Sequence, residues 1–220
     1  CSNQTTLHFC SARPEIAGLK DLKGKRVMVG GGASNNQITY LAKKLGWEIG
    51  RDVTIVHGDE HDRIRAFKDP DIAAVIAREE YAYWALQAGW RLLPYPEDYM
   101  RWHGGGLATS ARLIREQPEM VYGAVKAVVQ ATDFLNHHRR EAIDLALKRI
   151  SHLSREDAEG NYEIHTRDGG YTCGISAAGT RYQSEVLALA KGVSKQVSLS
   201  EVADLSFLEK AKAECGIQLN

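Results

Sequence analysis

Arg26-Val27-Met28-Val29-Gly30-Gly31-Gly32-Ala33-Ser34-Asn35-Asn36-Gln37-Ile38 is the stretch that decides how this chain folds. Val27-Met28-Val29 after Arg26 is a short apolar run of the kind that forms a buried strand. The three glycines end it. Ser34 with Gln37 three residues on matches a capping box, and Ile38, Leu41 and Leu45 supply an apolar stripe at helical spacing. Gly46 suits the position just past a helix, where positive φ is needed. Strand, glycine turn and helix N-terminus in that order gather backbone N–H groups at the positive end of a helix dipole, which attracts carboxylate, sulfonate or phosphate. Gly31, Gly32 and Ala33 would offer those groups, with Ser34, Asn35 and Asn36 adding side-chain donors. A tight turn that needs glycine only for its backbone angles accounts for the same residues, and both readings stand. The spacing is not GxGxxG and no Walker lysine follows, so a dinucleotide or nucleotide triphosphate is poorly supported.

The alternation continues outward. Val53-Thr54-Ile55-Val56 reads as a second strand, 59–68 as a polar helix, and Ile72-Ala73-Ala74-Val75-Ile76-Ala77 as a third, fully apolar strand. A helix over 80–88 and a strand at Arg91-Leu92-Leu93-Pro94 follow. Strands alternating with helices over short loops predict a mainly parallel sheet with helices on both faces, so 26–93 form one compact α/β lobe. Residues 1–12 read as an extended, mixed segment. Beyond Leu107-Ala108-Thr109-Ser110, read as a strand, the chain turns helical. A helix starts at Pro118 with Val121, Val125, Val128, Thr132 and Leu135 on one face, and others cover 141–150 and 178–191. The segment 151–177 is polar and reads as irregular. Ser198 with Glu201 caps a last helix whose Val202, Leu205, Leu208 and Ala211 face inward.

Composition narrows the function classes. With 220 residues, 44% of them hydrophobic, the chain can bury a sizeable core as one large domain or two small lobes. Its 28 basic and 28 acidic residues balance to zero, against a general nucleic-acid binder, which needs a basic excess. No stretch approaches the roughly 18 apolar residues of a membrane span. No signal peptide is visible, as fits a cytosolic protein or a mature chain. Cys1, Cys10, Cys173 and Cys215 form no CxxC pair; free thiols are the plain expectation, and Cys1-Ser2-Asn3 would also suit a lipid-modified N-terminus.

Arg78-Glu79-Glu80-Tyr81 follows directly on the third strand. Ligands of parallel α/β sheets lie beyond the carboxyl ends of the strands, so this loop should neighbour the glycine turn. Arg78 can pair with an anion through a bidentate contact, and Glu79 or Tyr81 can hydrogen-bond; an ordinary charged helix start is the alternative. His57, His61 and Asp62 are the metal candidates, but they need not share a helical face and HExxH is absent, so no metal is expected. Gly174-Ile175-Ser176-Ala177-Ala178 only approaches a serine-hydrolase elbow, and no strand precedes it. Trp102 beside His103 could line a cleft. No cofactor and no catalytic residue is indicated.

The order of these motifs resembles the nitrate/sulfonate/taurine-type solute-binding proteins of ABC importers. Asp21-Leu22-Lys23-Gly24-Lys25-Arg26-Val27 is similar to that family's entry into its second lobe. So is the loop Gly30-Ala33-Ser34, and so are Asp71-Ile72-Ala73-Ala74-Val75 followed by Glu79-Glu80-Tyr81-Ala82. Thr109-Ser110 to Gln117-Pro118-Glu119, and Gly192-Val193 to Val202-Ala203-Asp204-Leu205-Ser206-Phe207-Leu208, match its later steps. The resemblance implies a two-lobed, type II periplasmic-binding fold. In it 1–23 is the inter-lobe crossover, 24–103 a complete α/β lobe with a parallel or mixed sheet, and 104–220 the return crossover and mostly helical part of the other lobe. The family's first third, a βαβαβ portion, has no counterpart here. If these residues were the whole chain, half the cleft would be missing and the exposed surface would favour a homodimer or a partner; a piece of a longer chain is the more economical expectation.

What the resemblance implies for function is capture of a small anionic ligand in an inter-lobe cleft outside the cytoplasm, periplasmic or extracellular and membrane-associated. Delivery to a membrane ABC permease would follow, without enzymatic turnover. Gly31, Gly32, Ala33, Ser34, Asn35, Arg78, Glu79, Tyr81 and His103 are the expected ligand contacts, with His103 and Gly104-Gly105-Gly106 near a hinge. The fold also hosts enzymes, some making a thiamine precursor and some dehydrating a chorismate-like substrate, and a sensing accessory domain is a third class. The cysteine-rich motif of the thiamine-precursor enzymes is absent from the sequence.

Overall fold

A computed structural model describes residues 9–94, 106–151, 153–166, 172–192 and 196–218. They divide into two compact units. The sheet unit holds 9–94, 184–192 and 196; the helical unit holds 106–151, 153–166, 172–183 and 197–218.

The sheet unit contains β1 (Phe9–Ala12), β2 (Arg26–Val29), α1 (Ala33–Lys44), β3 (Thr54–His57), α2 (Glu60–Ala66), β4 (Ala74–Ala77), α3 (Glu79–Gln87) and β5 (Arg91–Leu93). The strand order is β3-β2-β4-β1-β5. β2 pairs in parallel with β3 (Val29 beside His57) and with β4 (Val29 beside Ile76). β1 is antiparallel to both β4 and β5, so the sheet is mixed rather than mainly parallel. The segment Phe9–Ala12, read from sequence only as extended, is what interrupts the parallel order.

Period-2 alternation explains the apolar runs. Val27, Val29, Ala74 and Ile76 pack with Ile38, Leu41 and Ala42 of α1 on one face. Met28, Val75 and Ala77 pack with Ala66 and Phe67, and with Tyr81 and Ala85 of α3, on the other. A strand buried on both faces has no polar side to show, which is why β4 is apolar at every position. Each fully buried aliphatic side chain such as Ile38 contributes about 1.5–3 kcal/mol by burial, and cutting it to alanine costs about 2–5 kcal/mol.

In the helical unit, α4 (Ala111–Glu116), α5 (Pro118–His137), α6 (Arg139–Arg149), α7 (Arg155–Thr166), α9 (Leu199–Val202) and α10 (Ser206–Cys215) join the first turns of α8 (Ala177–Lys191). Pro118 opens α5, where its missing N–H is no loss. Val125 and Val129 pack on Cys173 and on Leu208 and Ala211 of α10.

Three expectations need correction here. Leu107-Ala108-Thr109-Ser110 is not a strand but a lead-in, and Ser110 caps α4 by accepting from the Leu113 N–H at 3.1 Å. The segment 151–177 is not irregular throughout, because α7 occupies twelve of its residues. The single C-terminal helix is two: the chain leaves helical geometry at Ala203, and Val202 is 56% exposed rather than inward.

Candidate ligand site

The three parallel strands end side by side, with Val29 opposite His57 and one register step from Ala77. The turns that follow, Gly30-Gly31-Gly32, Gly58-Asp59 and Arg78, therefore share the carboxyl edge of the sheet, where open α/β sheets place their ligands. α1 begins at Ala33 with Gly32 as its N-cap, at φ 62°. A glycine cap has no side chain to satisfy the helix's first N–H groups, which lack acceptors within the helix. Gly31 and Gly32 are exposed there, and Ala33 and Asn35 are partly so. The expected Ser34–Gln37 capping box does not form, because the helix starts two residues earlier, with Gly32 rather than Ser34 as its N-cap. Ser34 is instead inside the first turn, 3% exposed, and its hydroxyl donates to the Gly31 carbonyl at 3.3 Å. Gln37, 5% exposed, keeps an Oε1 with no hydrogen-bond partner.

The residue that sequence reading missed is Arg63. Asp59 caps α2 by accepting from the Asp62 N–H at 2.9 Å, while Asp62 accepts from the Asp59 N–H at 3.1 Å. Arg65 donates to the Asp62 carboxylate, the main cause holding it below the ordinary aspartate range. This fixed first turn aims Arg63 back across the edge. Its Nη1 donates to the Gly58 carbonyl at 3.2 Å and its Nη2 to the Tyr81 hydroxyl at 3.0 Å. The guanidinium carbon lies 4.7 Å from the centre of the Tyr81 ring. Its Nε is buried with no hydrogen-bond partner, and no carboxylate among the described residues pairs with the group.

Gly30 allows this approach, and Gly58 allows the first turn of α2 to pack beside β2. A Cβ on Gly30 would stand 2.3 Å from Arg63 Nη1 and 3.7 Å from Ser34 Oγ, so the guanidinium lies against the turn itself. A Cβ on Gly58 would meet Asp62 Cβ at 2.7 Å and Met28 Sδ at 3.1 Å. Gly31 meets nothing within 4 Å. A second glycine directly after a strand, with an arginine five residues on, was the signal available in the sequence.

The other expected residues fall out unevenly. Tyr81 is only 2% exposed and reaches the turn through Arg63. Arg78 is the exposed N-cap of α3, and Glu79 is that helix's first residue. His103 lies outside the described residues. Among the described residues no cluster of three or more His, Cys, Asp or Glu could hold a metal ion. No described helix is long and apolar enough to cross a membrane. Cys10 and Cys215 form no disulfide, but Cys173 is disulfide-bonded, which corrects the free-thiol expectation there. The helical unit holds an apolar pocket of about 370 Å³ lined by Leu113, Ile114, Val121, Val125, Ile175 and Phe207 among others.

Solved structures share this fold. A protein from Methylobacillus flagellatus KT, described as the periplasmic sulfonate-binding protein of a sulfonate ABC transporter, is 13% identical with a TM-score of 0.73, over 100% of this chain and 71% of its own. The periplasmic nitrate-binding protein of Synechocystis PCC 6803 is 11% identical with a TM-score of 0.69, over 96% of this chain and 66% of its own. A desulfurization enzyme is 15% identical with a TM-score of 0.61, over 97% and 78%. The fold is thus that of the two-lobed periplasmic binding proteins, as the order of motifs led one to expect. No curated protein matches the chain in sequence. The family model described as NMT1/THI5 like matches residues 2–142, and the chain belongs to that family.

Proposed function

We propose that this protein is the solute-binding component of an ABC import system, capturing a small anion and handing it to a membrane permease. The observation that carries the reading is the carboxyl edge of the sheet, where the Arg63 guanidinium lies against Gly30 in the turn that leads to a glycine-capped helix start. Both present N–H donors and positive charge, and a binder of this kind needs no nucleophile or metal. The mechanism is preferential affinity of one conformation for ligand, with no covalent step. The division into 1–23, 24–103 and 104–220 belongs to this reading, as do contacts from Gly31, Gly32, Ala33, Asn35 and Arg78. A location outside the cytoplasm is favoured by the disulfide at Cys173, since such bonds persist in oxidising compartments.

Purified protein should be melted with alkanesulfonates, nitrate and short carboxylates. A binder gains reversible stability that grows with ligand, about 2.7 kcal/mol at a hundredfold excess over Kd, and returns the ligand unchanged. Consumption of the ligand would instead support the enzyme reading, which the fold also permits.

A further inference from the structure

We infer that Arg63 is the specificity-determining counter-ion of the site, and that its ligand carries a singly charged oxyanion group such as sulfonate, carboxylate or nitrate. This deepens the solute-binding reading above and rests on it.

The hydrogen bonds come first. A guanidinium has five N–H donors in a rigid fork. Arg63 uses one on Nη1 and one on Nη2, both toward neutral oxygens. Its Nε–H is buried with no hydrogen-bond partner, which native structures tolerate rarely. A purely structural brace between the Gly58 carbonyl and the Tyr81 hydroxyl would need only the two donors already in use. Besides the buried Nε–H, one N–H on each Nη is left over from these two bonds.

The charges point the same way. Arg63 lies against Gly30 and the turn that opens α1, so a full positive charge sits beside the positive end of a helix dipole. That placement is unfavourable by itself, and no carboxylate among the described residues forms an ion pair with Arg63. An anion touching both relieves both. One guanidinium with the roughly half charge of a helix end matches a monoanion better than a phosphate dianion. The Tyr81 ring lies under the guanidinium, and Gly30 carries no side chain that would fill the space beside Nη1.

The test is titration calorimetry of the full chain with butanesulfonate, butyrate and nitrate, with butyl methyl sulfone as an uncharged isostere. Wild-type protein, Arg63→Met and Arg63→Lys are compared, with urea unfolding to confirm that each is folded. The expected result is binding of at least one anion by wild type, a loss of a hundredfold or more in Arg63→Met, and a loss near tenfold in Arg63→Lys, which keeps the charge but not the fork. Anion affinity in folded Arg63→Met within threefold of wild type overturns the role of Arg63 and leaves the solute-binding reading standing. So does wild type binding the sulfone as tightly as the sulfonate. Wild type that binds none of the three anions overturns both. Should Arg63→Met not fold, Arg63→Lys decides: unchanged affinity for every anion overturns the inference.

Discussion

Arg63 sits over the Tyr81 ring, 4.7 Å from guanidinium carbon to ring centre, and donates to the same residue's hydroxyl at 3.0 Å. One side chain thus serves as both platform and acceptor, tying α2 to α3. Tyr81→Phe keeps the platform and removes the acceptor. A hydrogen bond from a charged donor is worth about 1.5–3 kcal/mol, so the variant should lose stability of that order in urea unfolding. Tyr81→Ala also removes a ring packed in the core beneath α3, and should cost about 3–5 kcal/mol. Equal losses from the two variants would show that the hydroxyl contact, not the ring, does all the holding.

Gly30 and Gly31 are neighbours with opposite tolerances. Alanine at position 30 would put its Cβ 2.3 Å from Arg63 Nη1, so the guanidinium must shift; at position 31 it meets nothing within 4 Å. Gly30→Ala should weaken anion binding by tenfold or more, with a stability loss of about 1–3 kcal/mol from overpacking. Gly31→Ala should change stability by no more than about 0.5 kcal/mol. Calorimetry and urea melts on both variants check this; equal tolerance would mean the glycines serve the turn alone.

Much of the sheet unit was legible because its physics is local. The run ending at Val29, the triple glycine and the stripe Ile38-Leu41 each announce an element from neighbours in sequence. The antiparallel placement of β1 was not legible: Cys10, Ser11 and Ala12 read as mixed, and only pairing with β4 and β5 buries them. Arg63 was hidden for a similar reason. Its partners are Gly58, five residues away, and Tyr81, eighteen away, and a polar helix rich in Arg and Asp looks solvated until Tyr81 is brought beside it. The glycine turn was located correctly, but its expected cap failed because Gly32 rather than Ser34 begins the helix.

The missed helix α7 carries its own start signal. Ser154 Oγ accepts from the Asp157 N–H at 3.0 Å and donates to the Asp157 carboxylate at 2.6 Å, with Glu156 also in the first turn, where the dipole favours acid. Ser154→Ala should therefore lower stability by about 1 kcal/mol, and Ser154→Asp should restore most of it. Circular dichroism melts measure both. A neutral alanine variant would mean that packing of Ala158 and Ile164, not the cap, holds the helix in place.

In the helical unit, α5 and α10 are joined by Glu214, which accepts from the Tyr122 hydroxyl and pairs with Lys126 at 2.9 Å. Lys210 adds charge over the Tyr122 ring, 4.2 Å from its centre. The hydrogen bond from Tyr122, then that from Lys126, hold the Glu214 carboxyl below its ordinary 4.5. The Glu214 carboxylate in turn is the main cause raising Tyr122 above 10.0 and Lys126 above 10.5. A lowered carboxyl pKa means that the unfolded chain binds the proton more readily. Glu214 thus contributes fully above pH 4.5 and loses its contribution as pH falls through its folded value. The raised groups act at the other end: their contribution is complete below pH 10 and fades as pH rises through their folded values. Glu214 is exposed and Tyr122 and Lys126 are partly so, so the effect is modest and salt weakens it. Urea midpoints at pH 7 and pH 3 should fall further apart for wild type than for Glu214→Gln, and 0.5 M salt should narrow that difference. Identical midpoint shifts in the two proteins would remove Glu214 from the acid response and leave Asp204, also lowered by its bonds to Ser206, as the group to test next in this unit.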